Sequence, residues 1–543
     1  MAATMALPIR HPEPRLSDQI LKAFVKSAFD NRQPDFLPDG VLDQLVKKRV
    51  IQRKFLRRST RLGLAHIQDL LDFVLTRAKK IFAISVMSNL SGQDLQDAIR
   101  LLKEAEFSDE SLPISEEYFR SKTGVPSIIP GSGESSPAKL GSGNDNNSGD
   151  DDGHCVAPDE PVELQDLWTN PRINEFCTKQ WSFLVPVFSL ANHNHNLAEF
   201  SILPFTRRYP HTDSGAFGQT KYEIHDSHLV SVTTSMPPSS NVVAIQVIRA
   251  KSQKDRRVMI DSWERRCGVL QQMNRLNQPL IVRFLTAFRR GTPGAEEHYI
   301  MLEWADGGNL RDFWKNMNRP ALTLELVRDS IRQILGLANA ICKAHYPETG
   351  PNFRHGDLKP ENILWFKEKS GRGIGTFKIG DWGLAKQHFI VTELRSNNIS
   401  MEWSTRKYEP PEETLGHGIA LTVPDKWGNI PKKRSRLYDI WAMGCITLEF
   451  LIWLMYGHRE LERFNQSLRS DSDPRFYQVR QNSSGQLEAH LHESVTRWIE
   501  HMGQDPICQT GTTALGNLLE VIQTRLLVVK LPERLATSID LSS

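Results

Sequence analysis

Eight consecutive residues, His355-Gly356-Asp357-Leu358-Lys359-Pro360-Glu361-Asn362, place carboxylates, an ammonium group and a carboxamide within a few positions of one another. A further carboxylate follows in Asp381-Trp382-Gly383. A carboxylate that orients a hydroxyl and takes its proton, cations that hold an anionic group, and side-chain oxygens that hold those cations are the parts phosphoryl transfer requires. Each short motif alone is weak, because an isolated Asp or Asp-x-Gly is usually a loop or turn residue. Their order and spacing lift the set above that reading.

Taken together the motifs resemble those of the eukaryotic protein kinase superfamily. The resemblance implies that Asp357 is the catalytic base, that Lys359 steadies the transferring phosphate, and that Asn362 with Asp381 ligates Mg2+. A Lys two residues after the base is the serine/threonine pattern. Thr405 lies seven residues before Glu412 of Pro410-Pro411-Glu412, and by the same resemblance hydrogen-bonds near Asp357 and Lys359. Asp439-Ile440-Trp441-Ala442-Met443-Gly444 matches the family helix whose Asp braces the catalytic loop, and Arg534 resembles the partner of Glu412. Tyr299 to Trp304 resembles the strand and hinge that hold adenine through backbone hydrogen bonds, with Leu302 as gatekeeper and Glu303 and Ala305 in the hinge. Ala244 and Leu364 join that nucleotide site. Glu361 implies a preference for basic residues near the acceptor.

Two stretches depart from the family. The phosphate loop Asp213-Ser214-Gly215-Ala216-Phe217-Gly218 has Asp in place of its first Gly, yet Gly215 and Gly218 still let backbone approach phosphate oxygens. Two glycines at this spacing are more often an ordinary hairpin, and it is their place ahead of the next strand that supports the assignment. Where the family writes Val-Ala-Ile-Lys, this chain has Val243-Ala244-Ile245-Gln246. A neutral amide cannot replace the lysine's charge on the α- and β-phosphates. The acid that would pair with that lysine is missing too: the aligned positions hold Arg266 or Val269, with Glu264 off register. Loss of one full charge beside a triphosphate corresponds to ~10²-fold or more in rate. Lys221 and Arg249 are the candidate substitutes, although alternation puts Arg249 on the opposite strand face from Gln246. Two functions from different classes therefore stand: a Ser/Thr protein kinase using ATP and Mg2+, and a pseudokinase acting as a nucleotide-binding or scaffold module.

The elements that must position these residues are legible in outline. Asn241 to Arg249 reads as a strand, and Val327, Ile331, Ile334, Leu335, Ala338 and Ile341 as a long helix. Strand-rich sequence to about Glu303 and helix-rich sequence beyond it predict an α+β, bilobal protein-kinase-like fold with an all-α region ahead of it. The expected divisions are an N-terminal helical region at 1–125, a flexible acidic Gly/Ser-rich linker at 126–160, a packed connecting segment at 161–204, and the kinase domain at 205–543. Its small lobe is 205–304 and its large lobe 305–543. Apolar residues at helical spacing from Ser17 to Glu106 predict three to five amphipathic helices serving packing rather than chemistry. This layout, with Trp181-Ser182-Phe183-Leu184-Val185-Pro186 before the domain, resembles fungal kinase-domain proteins.

Composition excludes some classes. A formal net charge of +3 over 543 residues is too dilute for a nucleic-acid footprint. The six cysteines lie far apart, without zinc-site spacing or disulfide density. No secretory signal is visible between Met1 and Glu13, so the expected location is intracellular, cytoplasmic or nuclear. Leu437 to Gly457 is long and apolar enough to span a bilayer, but Asp439, Glu449 and its place in the motif order predict a buried helix and no membrane partner. The partners expected are ATP and a protein substrate; oligomeric state is not legible. Gly356 stands where the family has the Arg that clamps a phosphorylated activation segment. Phosphatase treatment of the purified protein is therefore expected to leave its transfer activity unchanged, and a large fall would count against this reading.

Overall fold

The apolar periodicity near the N-terminus builds helices, but more of them and shorter than the pattern alone indicates. In the computed structural model, residues 14–55, 64–124, 167–189, 193–210, 219–230, 241–249, 255–368, 373–382, 406–415, 436–469 and 473–530 are described. Over the stretch read as three to five helices lie α1 (Leu16–Ala23), α2 (Val41–Leu45), α3 (Lys48–Phe55), α4 (Leu64–Arg77), α5 (Lys79–Met87) and α6 (Gly92–Glu104). Ala78, at φ −142° and ψ 34°, leaves the helical region and separates α4 from α5, a break that no proline or glycine announces. Two further helices among the described residues, α7 (Glu116–Thr123) and α8 (Asn170–Lys179), belong to the first unit.

The core of this first unit is centred on α5, buried from Ile81 through Met87. Its N-terminal amides are capped from a distance: the Asp109 carboxylate accepts from Lys80 N–H and Ile81 N–H, each at 3.0 Å, which satisfies donors that the helix leaves unpaired. Phe119, Trp168 and Phe176 pack edge-on, with Phe119 and Trp168 ring centroids 4.9 Å apart. That unit comprises residues 1–188, 200–207 and 224–230, and the second comprises 189–199, 208–223 and 231–543. The segment read as connecting, 161–204, thus supplies α8 to the first unit and a strand to the second.

The second unit follows the α+β, two-lobed order. Its sheet contains β1 (His195–Leu197), β2 (Gln219–Ile224), β3 (Val242–Ile248), β4 (Phe284–Arg290) and β5 (Glu297–Glu303), in the order β1-β4-β5-β3-β2. Among these five strands, β1 pairs with β4 in parallel and the remaining pairings are antiparallel. Helix α9 (Arg256–Arg275) lies between β3 and β4 in the chain and packs its Trp263, Cys267 and Leu270 into the core that Ala244, Ile300 and Leu302 line. Trp263 Nε1–H also donates to Tyr299 O at 3.2 Å.

Helices dominate the rest: α10 (Leu310–Asn316), α11 (Leu324–His345), α12 (Pro411–Leu415), α13 (Leu437–Tyr456), α14 (His458–Arg469), α15 (Glu493–Gly503) and α16 (Ala514–Val521). Between α11 and α12 the ribbon β6 (Ile363–Phe366) and β7 (Thr376–Ile379) pairs antiparallel. Helix α13 is the apolar stretch noted as long enough for a bilayer, and its most apolar 18-residue window is wholly buried inside the protein. Phe450, Trp453 and Phe313 pack ring against ring in that core, Phe313 stacked on Phe450 and Trp453 edge-on to Phe450.

Gly444 marks the closest approach made by α13. A Cβ there would lie 2.8 Å from Leu526 Cβ and 2.9 Å from Leu527 Cδ2. Alanine would gain about 1 kcal/mol of helix propensity at this position, against an overpacking cost of about 1–3 kcal/mol. Gly444→Ala is therefore expected to lower stability by about 1 kcal/mol in denaturant unfolding. An unchanged or raised midpoint would show that the α13 contact yields freely.

Candidate active site

The ribbon β6–β7 brings the chemistry together by register. Ile363 pairs with Ile379, so Asn362, just before β6, and Gly380-Asp381, just after β7, emerge at the same end. Gly380 N–H donates to Asn362 O at 2.8 Å, fixing that end. Asp381 has φ 55°, a left-handed conformation that non-glycine residues adopt at a cost and that concentrates at functional sites.

Asp357 enters from the loop that precedes β6. Asn362 Nδ2–H donates to Asp357 O at 2.6 Å and to Asp357 Oδ2 at 3.3 Å. Lys359 Nζ lies 3.2 Å from Asp357 Oδ2, and both side chains are almost wholly buried. The Asn362 amide is thus turned with its nitrogen toward Asp357. Its Oδ1 is buried with no hydrogen-bond partner among the described residues.

An orphaned carboxamide oxygen at the ribbon end that also carries Asp381 suits a hard, oxygen-seeking cation, which is typically held by one or two protein ligands plus phosphates and water. The residues fit Mg2+ for that reason. Among the described residues no group of three or more His, Cys, Asp and Glu gathers as a transition-metal site would.

The loop carrying Asp357 is suspended from one carboxylate. Asp439 Oδ2 accepts from His355 N–H and from His345 Nε2–H, and Asp439 Oδ1 accepts from Gly356 N–H, all at 2.8 Å. Gly356 has φ 73°, and a Cβ there would meet Arg354 Nε at 3.1 Å, so glycine answers both the backbone and the space. His355 is held at both ring nitrogens. Nδ1 accepts from Asp357 N–H at 3.3 Å and Nε2–H donates to Gly380 O at 2.8 Å, which ties the Asp357 loop to the residue before Asp381. Trp382 packs edge-on to His355 at 4.9 Å and is fully buried.

Around this centre the other anticipated residues take different places. Ala244 sits opposite Leu302 across β3–β5, and Ala244, Leu302, Ala305 and Leu364 are buried in one continuous core. The Glu303 side chain is engaged by Lys378 Nζ at 2.8 Å and by Arg283 N–H at 2.7 Å. Gln246 lies between Gln219 and Ile300 in the sheet. By alternation it shares the face of Ala244, the face on which α9 packs. Gly215, Gly218 and Thr405, with Asp213 and Arg534, fall outside the described residues.

Neither candidate substitute for the strand lysine is turned to this centre. Lys221 Nζ lies over the rings of Tyr209, at 4.2 Å, and Trp304, at 5.4 Å. Arg249 is 69% exposed and pairs with Glu297 at 3.0 Å. The cation beside Asp381 is instead Arg266 of α9, whose Nη2 stands 3.0 Å from Asp381 Oδ1. Arg266 enters the sequence reading only as a residue standing in the place of an acid. Its spacing from Trp263 and Cys267 on the inward side of α9 was the available signal.

A buried polar chain that no short motif announces runs away from the loop. Arg311 Nε–H donates to Glu361 Oε1 at 2.6 Å and its Nη2–H to Tyr408 Oη at 2.8 Å. Tyr408 Oη–H donates to Glu449 Oε2 at 2.5 Å, and Lys407 Nζ reaches Glu449 and Asn465. Burial pulls the Lys407 ammonium below its usual range, against the opposing pull of Glu449. The Glu361 charge, read from sequence as facing a basic substrate, is answered by Arg311.

Comparison with known proteins agrees with this geometry. The protein kinase domain family matches residues 231–506, just over half of the chain. The chain is similar to Serine/threonine-protein kinase RAD53 of Saccharomyces cerevisiae, 32% identical over 34% of this chain and 19% of that protein. It is similar to Probable cyclin-dependent kinase 8 of Dictyostelium discoideum, 38% identical over 18% and 21%. It also resembles Calcium/calmodulin-dependent protein kinase type 1 of Macrobrachium nipponense, 26% identical over 43% and 55%. In each case the match spans less than two thirds of the relative's own length.

Asp439 sets the acid stability expected of this site. Burial opposes its charge, but the hydrogen bond and charge of His345, with help from the Gly356 N–H, hold it below the usual carboxylate range. A lowered folded value stabilises the protein above the unfolded value of ~3.9 and loses that contribution as pH falls through the folded value. Asp439→Ala is expected to cost about 3–5 kcal/mol near neutral pH. The gap between wild type and variant should shrink below pH ~4 when denaturant midpoints are followed against pH; a gap independent of pH would remove the charge from the explanation.

Proposed function

The chain belongs to the protein kinase family, and we propose that it transfers the γ-phosphate of Mg2+-ATP to serine or threonine hydroxyls of protein substrates. The observation that carries this reading is the convergence of Asp357, Lys359, Asn362 and Asp381 at one end of the β6–β7 ribbon. Asp357 accepts the proton of the substrate hydroxyl as its oxygen bonds to the γ-phosphorus and the bond to the β-phosphate oxygen breaks, releasing ADP. Asn362 and Lys359 hold the Asp357 carboxylate in place for that transfer. Lys359 meets the transferring phosphoryl group with its positive charge, and Asn362 and Asp381 supply the oxygen ligands. When bound, Mg2+ neutralises charge on the phosphates.

The hinge stretch from Leu302 to Ala305, with Ala244 and Leu364, offers the apolar ground for adenine. The free state of the five described cysteines supports the reading of a reducing, intracellular setting. A second reading, a pseudokinase module, draws on Gln246 standing where the family has lysine.

Purified wild type is expected to transfer labelled γ-phosphate to generic protein substrates. Asp381→Asn should abolish transfer, and Asp357→Asn should lower kcat by roughly 10²- to 10⁴-fold while leaving the KM for ATP nearly unchanged. Transfer that persists undiminished in Asp357→Asn would sink the kinase reading. A melting temperature raised by ATP only with Mg2+, without transfer, would favour the second reading.

A further inference from the structure

We propose that Arg266, on helix α9, is the cation that holds the nucleotide phosphates in this chain, standing in for the lysine its strand lacks; the proposal rests on the nucleotide reading above. Four observations meet here. Gln246 is an uncharged amide on the sheet face that carries α9. Arg266 extends from α9 to within 3.0 Å of Asp381 Oδ1, with its side chain only 16% exposed. Arg266 Nε is buried with no hydrogen-bond partner among the described residues. Three other described cations near the sheet are occupied elsewhere: Lys221 over Tyr209 and Trp304, Arg249 with Glu297, Lys378 with Glu303.

Charge accounting points the same way. Asp357 is paired with Lys359 and Asp381 with Arg266, so among the described residues each carboxylate at the ribbon end has a cation beside it. A triphosphate adds several negative charges, and one divalent cation offsets only two of them. Arg266 remains charged at all working pH, and its planar fork has five N–H donors, of which the Asp381 contact uses one. A guanidinium with a spare buried donor, beside a carboxylate suited to a metal, matches the bidentate demand of a phosphate. The vanished acid also follows. An Arg266 that supplies the charge from the helix needs no glutamate there, because the strand position has no lysine to anchor.

The test compares full-length wild type with Arg266→Ala, Arg266→Lys and the double variant Arg266→Ala/Gln246→Lys. Binding of adenosine, ADP and ATP is measured by calorimetry with Mg2+, and unfolding midpoints are taken without ligand. Arg266→Ala is expected to bind adenosine within about twofold of wild type and ATP about 10- to 100-fold more weakly. Arg266→Lys should fall between them, and Gln246→Lys added to Arg266→Ala should regain at least about tenfold in ATP affinity. Should Arg266→Ala fail to fold, Arg266→Lys decides alone: loss for ATP without loss for adenosine supports the proposal, and equal affinity overturns it. ATP bound by Arg266→Ala as tightly as by wild type, or more tightly, would also overturn it, leaving Arg266 a counter-ion that competes with the metal for Asp381. Parallel loss of adenosine and ATP would overturn it in favour of a packing role. Wild type that binds none of the three would instead remove the nucleotide reading and this proposal with it.

Discussion

A carboxylate sealed from water is tolerated only when hydrogen bonds replace its hydration, and Asp439 is sealed completely. Three donors converge on it: the backbone N–H groups of His355 and Gly356, and the His345 ring. Because two of these belong to consecutive residues just ahead of Asp357, satisfying Asp439 and setting the direction of the Asp357 loop are the same event. His355 extends the arrangement by bonding Asp357 N–H and Gly380 O from its two ring nitrogens. One buried charge on α13 thereby fixes both the candidate base and, through Gly380, the approach to Asp381.

The chain of polar groups from Glu361 through Arg311, Tyr408 and Glu449 to Lys407 and Asn465 serves a related purpose at the other side of the loop. It joins α10, the turn carrying Glu361, the residues before α12, and helices α13 and α14. Buried networks of this kind contribute little net stability over an apolar core, but a half-satisfied one is strongly destabilising. Such a network therefore has essentially one acceptable arrangement, and it holds Pro410-Pro411-Glu412 and the Asp357 loop to a common frame.

What was legible in the sequence follows from how local each feature is. Asp357, Lys359 and Asn362 lie within six positions and Asp381 follows a short ribbon, so their convergence depends on one antiparallel pairing, Ile363 with Ile379. The β3 strand and the long α11 helix have periods of two and 3.6 that reveal themselves in any window. The break at Ala78 could not be read, since no proline or glycine marks it and α5 is buried along most of its length, from Ile81 through Met87, so the apolar pattern runs on across it. Arg266 was visible as a residue type, but its contact with Asp381 spans 115 positions. The polar chain was opaque for the same reason, because Glu361, Tyr408, Glu449 and Asn465 share no local pattern.

The same distinction bears on Gln246, which read in isolation says only that the strand carries no cation at that place. A motif records which residue usually occupies a place, whereas a phosphate responds to charge and donors at a position in space. Strand β3 and helix α9 both border the core beneath the site, so a cation can enter from either one. If it enters from the helix, as Arg266 does beside Asp381, lysine on the strand would crowd a second positive charge against the first. The neutral amide at Gln246 and the missing helix acid are then one change rather than two. In that arrangement the helix position read as having lost an acid carries the guanidinium itself, directed at the ribbon end where the other chemistry lies.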